Sequence, residues 1–156
     1  MKKRSFRIYL ILTLLWTAGI FLHSAMPAAA SNAESGGVLA VVQMILPWIT
    51  HGVLRKAAHF SEYGLLGVEF SLLLGLQYDK NGKNLQHGRN LLDFPLIGML
   101  CAVTDETIQI FSGRGSLVSD VWIDTAGFST GFFLTVLLFL FINHCKKSRI
   151  TGNRKG

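Results

Sequence analysis

Two adjacent carboxylates and a carboxamide interrupt an otherwise apolar run at Cys101-Ala102-Val103-Thr104-Asp105-Glu106-Thr107-Ile108-Gln109-Ile110-Phe111-Ser112. The residues that follow, 113–124, add Arg114, Asp120 and Asp124. A carboxylate near the centre of a bilayer costs roughly 2.5–3.5 kcal/mol on insertion scales, so it needs a partner or a task. Upstream, Arg55, His59, Glu62 and Glu69 fall within about 80° of arc at 100° per residue, which places them on one helical face. Two chemistries suit such a set. Adjacent carboxylates in a low-dielectric pocket, with an imidazole that exchanges protons near neutrality, can do general acid–base work. His59, Glu62 and two or three of the other acids also offer the imidazole and hard oxygen donors of a divalent-metal site. The chain has neither an HExxH pair nor a two-metal pattern, and Ser24, Ser61, Ser116 and Ser119 are candidate nucleophiles without an elbow motif to choose among them.

The elements that position these groups are membrane helices. Half of the 156 residues are hydrophobic and 15% are charged, too apolar for an ordinary soluble domain. We expect an all-α bundle of four transmembrane helices forming one domain, with spans near 6–26, 53–78, 91–112 and 121–143. A cleaved signal peptide competes for the first span, because Ala28-Ala29-Ala30-Ser31 looks like a cleavage site. The run is longer than a usual signal core and contains Trp16 and His23, which favours a retained helix. Pro27–Gly37 reads as loop, and the apolar stretch 38–49 as a re-entrant or interfacial segment anchored by Pro47-Trp48. Pro95 is expected near the start of the third span, where its missing N–H costs least.

Every Lys and Arg except Arg55, Lys56 and Arg114 falls in the two termini or the 79–90 connection. The excess of cations in cytoplasmic segments then puts both termini inside, and this distribution argues against nucleic-acid binding despite a net charge of +6. Cys101 and Cys145 show neither metal-site spacing nor a plausible disulfide.

With that topology the polar groups meet at one extracytoplasmic depth: His59 and Glu62 at the outer start of the second span, Asp105, Glu106 and Gln109 in the outer half of the third, Arg114 in the turn, Asp120 and Asp124 at the start of the fourth. His23 and Ser24 end the first span and can join them. Asp120, Asp124, Gly127 and Gly131 share a face, so the acids come with glycines that permit close helix approach. Each residue has an ordinary reading: Asp120 as a helix-start acid, Arg114 as a partner of an acid or of lipid phosphate, His59 and Glu62 as a hydrogen-bonded pair. Their number exceeds what holding the helices together requires.

The segments Arg55-Lys56-Ala57-Ala58-His59-Phe60-Ser61-Glu62-Tyr63, Thr104–Phe111 with Arg114, and Asp120-Val121-Trp122-Ile123-Asp124-Thr125-Ala126-Gly127 resemble the motifs of the VanZ-like family. These are small bacterial membrane proteins, some associated with resistance to the glycopeptide teicoplanin. The resemblance covers essentially the whole chain and implies a multi-pass protein of the bacterial cytoplasmic membrane. It carries over His59, Glu62, Tyr63, Asp105, Glu106, Gln109, Arg114, Asp120 and Asp124, and leaves out Glu69 and His23. Two functions are consistent with it. An enzyme would act on a lipid-linked or cell-envelope substrate, with Arg114, Lys56, Tyr63 and Ser24 binding it and His59, Glu62, Asp105, Glu106, Gln109, Asp120 and Asp124 forming the catalytic set. A non-catalytic protein would instead capture an amphipathic ligand or envelope lipid and alter antibiotic access. A plain helix-bundle scaffold is the bland alternative.

Overall fold

The computed structural model describes residues 3–81 and 88–152. In order they form α1 (Lys3–Ser24), α2 (Ala28–Gln43), α3 (His51–Asn81), α4 (Gly88–Phe111) and α5 (Val118–Gly152), with no strand among the described residues. Three helices hold segments long and apolar enough to cross a membrane: Ser5–Ser24, Asp93–Phe111 and Val118–Cys145. At 31 residues α3 extends roughly 46 Å, ample for a crossing. Its hydropathy is lowered by Arg55, Lys56, His59, Glu62 and Glu69, so it does not join the three apolar segments.

The distribution of exposure is that of a protein solvated by hydrocarbon. Among the largest fully buried side chains are Gln109, Asp105 and Asp124, while Leu15, Leu22 and Phe111 are 63%, 72% and 87% exposed. In water this arrangement would expose apolar surface while burying charge, each at a cost. In lipid the exposed leucines are in their preferred solvent, and the polar groups must turn inward.

α3 makes its most extensive contact with α5, and α4 covers α5 from another side. The close approach of α3 and α5 depends on glycine: a Cβ on Gly127 would strike the Phe60 backbone carbonyl, and one on Gly131 the carbonyl of Gly64. Below that crossing Phe70, Phe94, Phe128 and Phe132 fill the interior, with Phe94 and Phe132 stacked at a 5.2 Å centroid distance. Tyr63 and Leu66 of α3 are fully buried against this layer.

Two local expectations differ from the structure. The stretch Pro27–Gly37 is not a loop: Pro27 sits at the N-cap of α2, and residues 28–43 are helical through Gly36 and Gly37. Proline is pre-set for a helix start, the alanines that follow are strong helix formers, and Ser35 Oγ donates to Ser31 O one turn back, keeping the polar residues compatible with the helix. The stretch 38–49 accordingly starts inside α2 and runs into a turn, leaving Met44, Ile45 and Trp48 at 82%, 81% and 73% exposure. Pro95 lies inside α4, because the helix begins at Gly88. Lys2, Lys83, Arg154 and Lys155, which contribute to the charge argument for orientation, lie outside the described residues.

Candidate functional site

One end of the bundle gathers the end of α1, the beginning of α3, the end of α4 and the beginning of α5. The glycine-permitted approach of α3 to α5 puts His59 Nδ1 3.3 Å from Asp124 Oδ1. The helical repeat of α4 turns Asp105, Glu106 and Gln109 toward the same centre, and all three are buried. The turn after α4 closes over them. Gly113 adopts φ +73°, a conformation open to glycine, and the Gly113 and Arg114 amides donate to Ile110 O and Gln109 O. This is the paired-bond C-terminal motif that reverses the chain after a helix. Glu106 Oε2 then accepts the Leu117 amide at 3.0 Å and pins the far side of the turn.

Gln109 is the hub of a polar web. Its Nε2 donates to Asp105 Oδ2 at 3.1 Å and to Glu106 Oε1 at 3.0 Å. Its Oε1 accepts Arg55 Nη2 at 3.2 Å, and the same nitrogen donates to Gly115 O at 3.0 Å and pairs with Asp120 Oδ2 at 3.5 Å. Arg114, 8% exposed, donates from Nη1 to His23 O at 2.9 Å, while Ser112 Oγ donates to Ser24 O. Burial, and then the neighbouring Arg55 charge, draw the Arg114 guanidinium below its ordinary value, against the opposing pull of Asp105, Glu106 and Glu62.

Inside this web some polar atoms remain without a hydrogen-bond partner: Asp105 Oδ1, both Asp124 oxygens, His59 Nδ1 and the Tyr63 hydroxyl. His59 and Asp124 are close but not aligned for a hydrogen bond. His59, Asp105, Glu106 and Asp124 are all buried, and one ligand atom from each lies within 4.8 Å of the others. Buried polar groups are satisfied in the great majority of cases, so several orphans converging on one point mark a place built to engage something else.

A cavity of about 240 Å³ opens beside this cluster. His59, Glu62, Arg55 and Arg114 form its inner wall, and Ser31, Ser35 and Val38 of α2 form its outer wall. His51 Nε2 lies 2.8 Å from Ser35 Oγ, and His23 Nε2 lies 3.2 Å from Glu34 Oε2, so α2 is tied to both α3 and α1.

The residues singled out from the sequence separate into groups. His59, Asp105, Glu106 and Asp124 form the buried cluster, and Tyr63 is fully buried one turn along α3 from His59. The Ser24 hydroxyl faces Asp105. Gln109 and Asp120 are the web that holds them, Asp120 through Arg55. Glu62 and Arg114 face the cavity, whereas Lys56 is exposed and outside its lining. Ser61 is exposed and bonded to Ala57 O, and Ser119 is bonded to Asp120. Glu69 lies a further two turns along α3 from Glu62, beside Thr13 of α1, with Oε2 unpartnered. Two contributors were not among the sequence-derived candidates. Arg55 shares the His59 face, which was the available signal, but its reach to α5 depends on the tertiary arrangement. The α2 wall had no signal, because its small polar residues are those of a loop.

The family model described as VanZ/LLP1 matches residues 9–140. No curated protein and no solved structure matches the chain.

Proposed function

The chain belongs to the VanZ/LLP1 family, and from that premise we propose that it is a multi-pass enzyme of the bacterial cytoplasmic membrane acting on a lipid-linked envelope substrate. In this reading α3 is the fourth crossing, both termini are cytoplasmic, and the cavity opens toward the extracytoplasmic leaflet. The observation that carries the reading is the buried pair His59 and Asp124 beside a cationic cavity: His59 lines the cavity and its Nδ1 lies 3.3 Å from the fully buried Asp124 carboxylate.

The chemistry follows from that placement. Asp124 faces Nδ1 and sets the ring orientation, leaving Nε2 as the nitrogen able to take a proton from a hydroxyl or water in the cavity. Arg55 and Arg114 supply positive charge at the cavity wall for the phosphate or other anion of a headgroup. The His59 imidazolium formed in that step, which lines the cavity, then returns the proton to the leaving group. The exposed apolar faces of α1 and α5 keep the acyl portion of such a substrate in lipid.

The test is turnover of lipid-linked envelope substrates by the full chain in lipid nanodiscs. His59→Gln and Asp124→Asn should each lower the rate by roughly 10²–10⁴-fold, the span of general acid–base catalysis. Full activity in both variants at normal protein levels would rule the reading out. The second reading is capture of an amphipathic ligand without chemistry, with altered glycopeptide access as its outcome. It is favoured by the fact that Arg114 and Arg55 are already fixed by protein acceptors, as in a preformed anion site. Under that reading the same substitutions leave any resistance phenotype largely intact, while Arg114→Gln removes it.

A further inference from the structure

We propose that His59, Asp105 and Asp124, with Glu106 as a fourth donor, form a binding site for a first-row divalent cation, Mn²⁺ or Zn²⁺. The inference concerns the same end of the bundle as the proposed reaction but does not rest on it, since metal content and turnover are measured independently.

Geometry supplies the first argument. Ligands on opposite sides of an ion bound at about 2.1 Å are about 4.2 Å apart. The four donor atoms already lie within 4.8 Å of one another, so they close on an ion by small side-chain rotations.

Satisfaction supplies the second. Asp105 and Asp124 are 0% exposed and His59 is 7% exposed, yet Asp105 Oδ1, Asp124 Oδ1 and Oδ2, and His59 Nδ1 have no hydrogen-bond partner. α3 and α5 approach so closely that a Cβ on Gly127 or Gly131 would strike the facing backbone, and both Asp105 and Asp124 are shut off from water. The nearby guanidinium groups are engaged elsewhere: Arg55 on Gln109, Gly115 and Asp120, Arg114 on the His23 carbonyl. Buried carboxylates whose nearby guanidinium groups are directed elsewhere fit a cation bound among them.

The surroundings have the form of a ligand-orienting layer. Gln109 Nε2 binds Asp105 Oδ2 and Glu106 Oε1, fixing both carboxylates while leaving Asp105 Oδ1 free. Such bonds to the non-coordinating atoms orient metal ligands and are as much part of a site as the ligands. Glu106 differs from the others because both its oxygens already accept a hydrogen bond, so it coordinates through a remaining lone pair. One imidazole with carboxylate oxygens, and no thiolate in the set, selects Mn²⁺ or Zn²⁺ over Ca²⁺ and Mg²⁺, which take oxygen ligands, and over soft ions. His59 also lines the cavity, so an ion arriving there meets the ring first.

The experiment uses the full chain in lipid nanodiscs, stripped with chelator and dialysed against MnCl₂ or ZnCl₂. Metal content and thermal unfolding are then measured. Stoichiometric metal in the wild type, with a higher unfolding temperature when loaded, is the expected result. His59→Gln and Asp124→Asn should weaken binding by more than the roughly 10–100-fold typical of outer-shell partners. Glu62→Gln lines the cavity outside the donor set and should bind as the wild type does. Loss of binding in Glu62→Gln, or equal uptake by the wild type and the His59 and Asp124 variants, overturns the site. Adventitious binding by exposed rings is read with His23→Ala and His144→Ala, and loss of uptake in either overturns the proposal. If a ligand variant fails to fold, pulsed electron paramagnetic resonance of the wild-type Mn²⁺ form replaces it: nitrogen coupling from an imidazole supports the site, and its absence overturns it. Metal uptake without turnover of any substrate leaves this site standing and removes the reaction. Undiminished turnover in stripped protein that takes up no metal overturns this site and leaves the reaction standing.

Discussion

Asp105 and Glu106 are neighbours in the chain, yet their surroundings assign them different work. Glu106 has both oxygens engaged, by Gln109 and by the Leu117 amide, and so holds a turn. Asp105 keeps one oxygen bonded and one free, and Asp124 has both free. Neutralising them should therefore have opposite effects on stability. Glu106→Gln offers an NH₂ group to the Leu117 amide or to Gln109, and should cost about 1–3 kcal/mol of stability, read by thermal unfolding in detergent. Asp124→Asn removes a buried carboxylate that makes no aligned hydrogen bond, and its partner His59 can become neutral once the acid is gone, so the metal-free protein should be as stable as the wild type or more so. Stability retained while function is lost is the expected signature of a residue kept for chemistry. A large loss of stability in Asp124→Asn would mark the carboxylate as structural. Arg55→Lys tests the web: an ammonium cannot reproduce the planar reach of the guanidinium to Gln109, Gly115 and Asp120, and a destabilisation of about 1–2 kcal/mol is expected.

At the scale of elements, the α3 and α5 crossing is the joint on which the site depends. Gly127 and Gly131 bring the α5 backbone against the carbonyls of Phe60 and Gly64, and His59 meets Asp124 one turn away. Gly131→Val should force the helices apart and destabilise the protein by about 1–3 kcal/mol or prevent its accumulation, as overpacking does in close-packed interiors. The readout is the amount of folded protein recovered from membranes. The turn after α4 is a second joint. Gly113 at φ +73° has open space around it, so Gly113→Ala meets only the backbone penalty, about 1–2 kcal/mol. Unlike the α5 variant, it should give folded protein with a less stable turn. The α2 wall lines the cavity and is held to α3 by the His51 and Ser35 contact, though the composition of residues 27–37 reads as a loop. Propensity was outweighed there by a proline start and by contacts to α3 that only the fold supplies.

For the whole molecule, the apolar exterior and polar interior suit a bilayer, where burial of carboxylates must be compensated from within. The exposed Met44, Ile45 and Trp48 after α2 extend that exterior at the cavity end, as an interfacial anchor would. The proposed orientation has a direct check. In a chain lacking Cys101 and Cys145, a membrane-impermeant thiol reagent applied outside intact cells should label Ser116→Cys and not Asn84→Cys. The reverse pattern would place the cavity at the cytoplasmic face and end the proposal of an extracytoplasmic substrate.

Much about this protein is decided by residue order alone. Hydropathy and length mark out three helical segments long and apolar enough to cross a membrane, where hydrocarbon admits only segments that satisfy their own backbone hydrogen bonds. The 3.6-residue period puts Arg55, His59 and Glu62 on one face, and Asp120, Asp124, Gly127 and Gly131 on another, so the acids and the glycines of the crossing were legible before any helix was packed. Tertiary structure decided which of these groups are paired. It assigned Arg55 to Asp120 and Gln109, removed Lys56 to the surface, took Glu106 for the turn, and left Asp105, Asp124 and His59 in one cluster with oxygen and nitrogen atoms free of hydrogen bonds. Periodicity reports the direction in which a side chain leaves its helix. Whether it then finds a partner depends on the distance between helices, and here that distance depends on glycine contacts formed only when α3 and α5 meet.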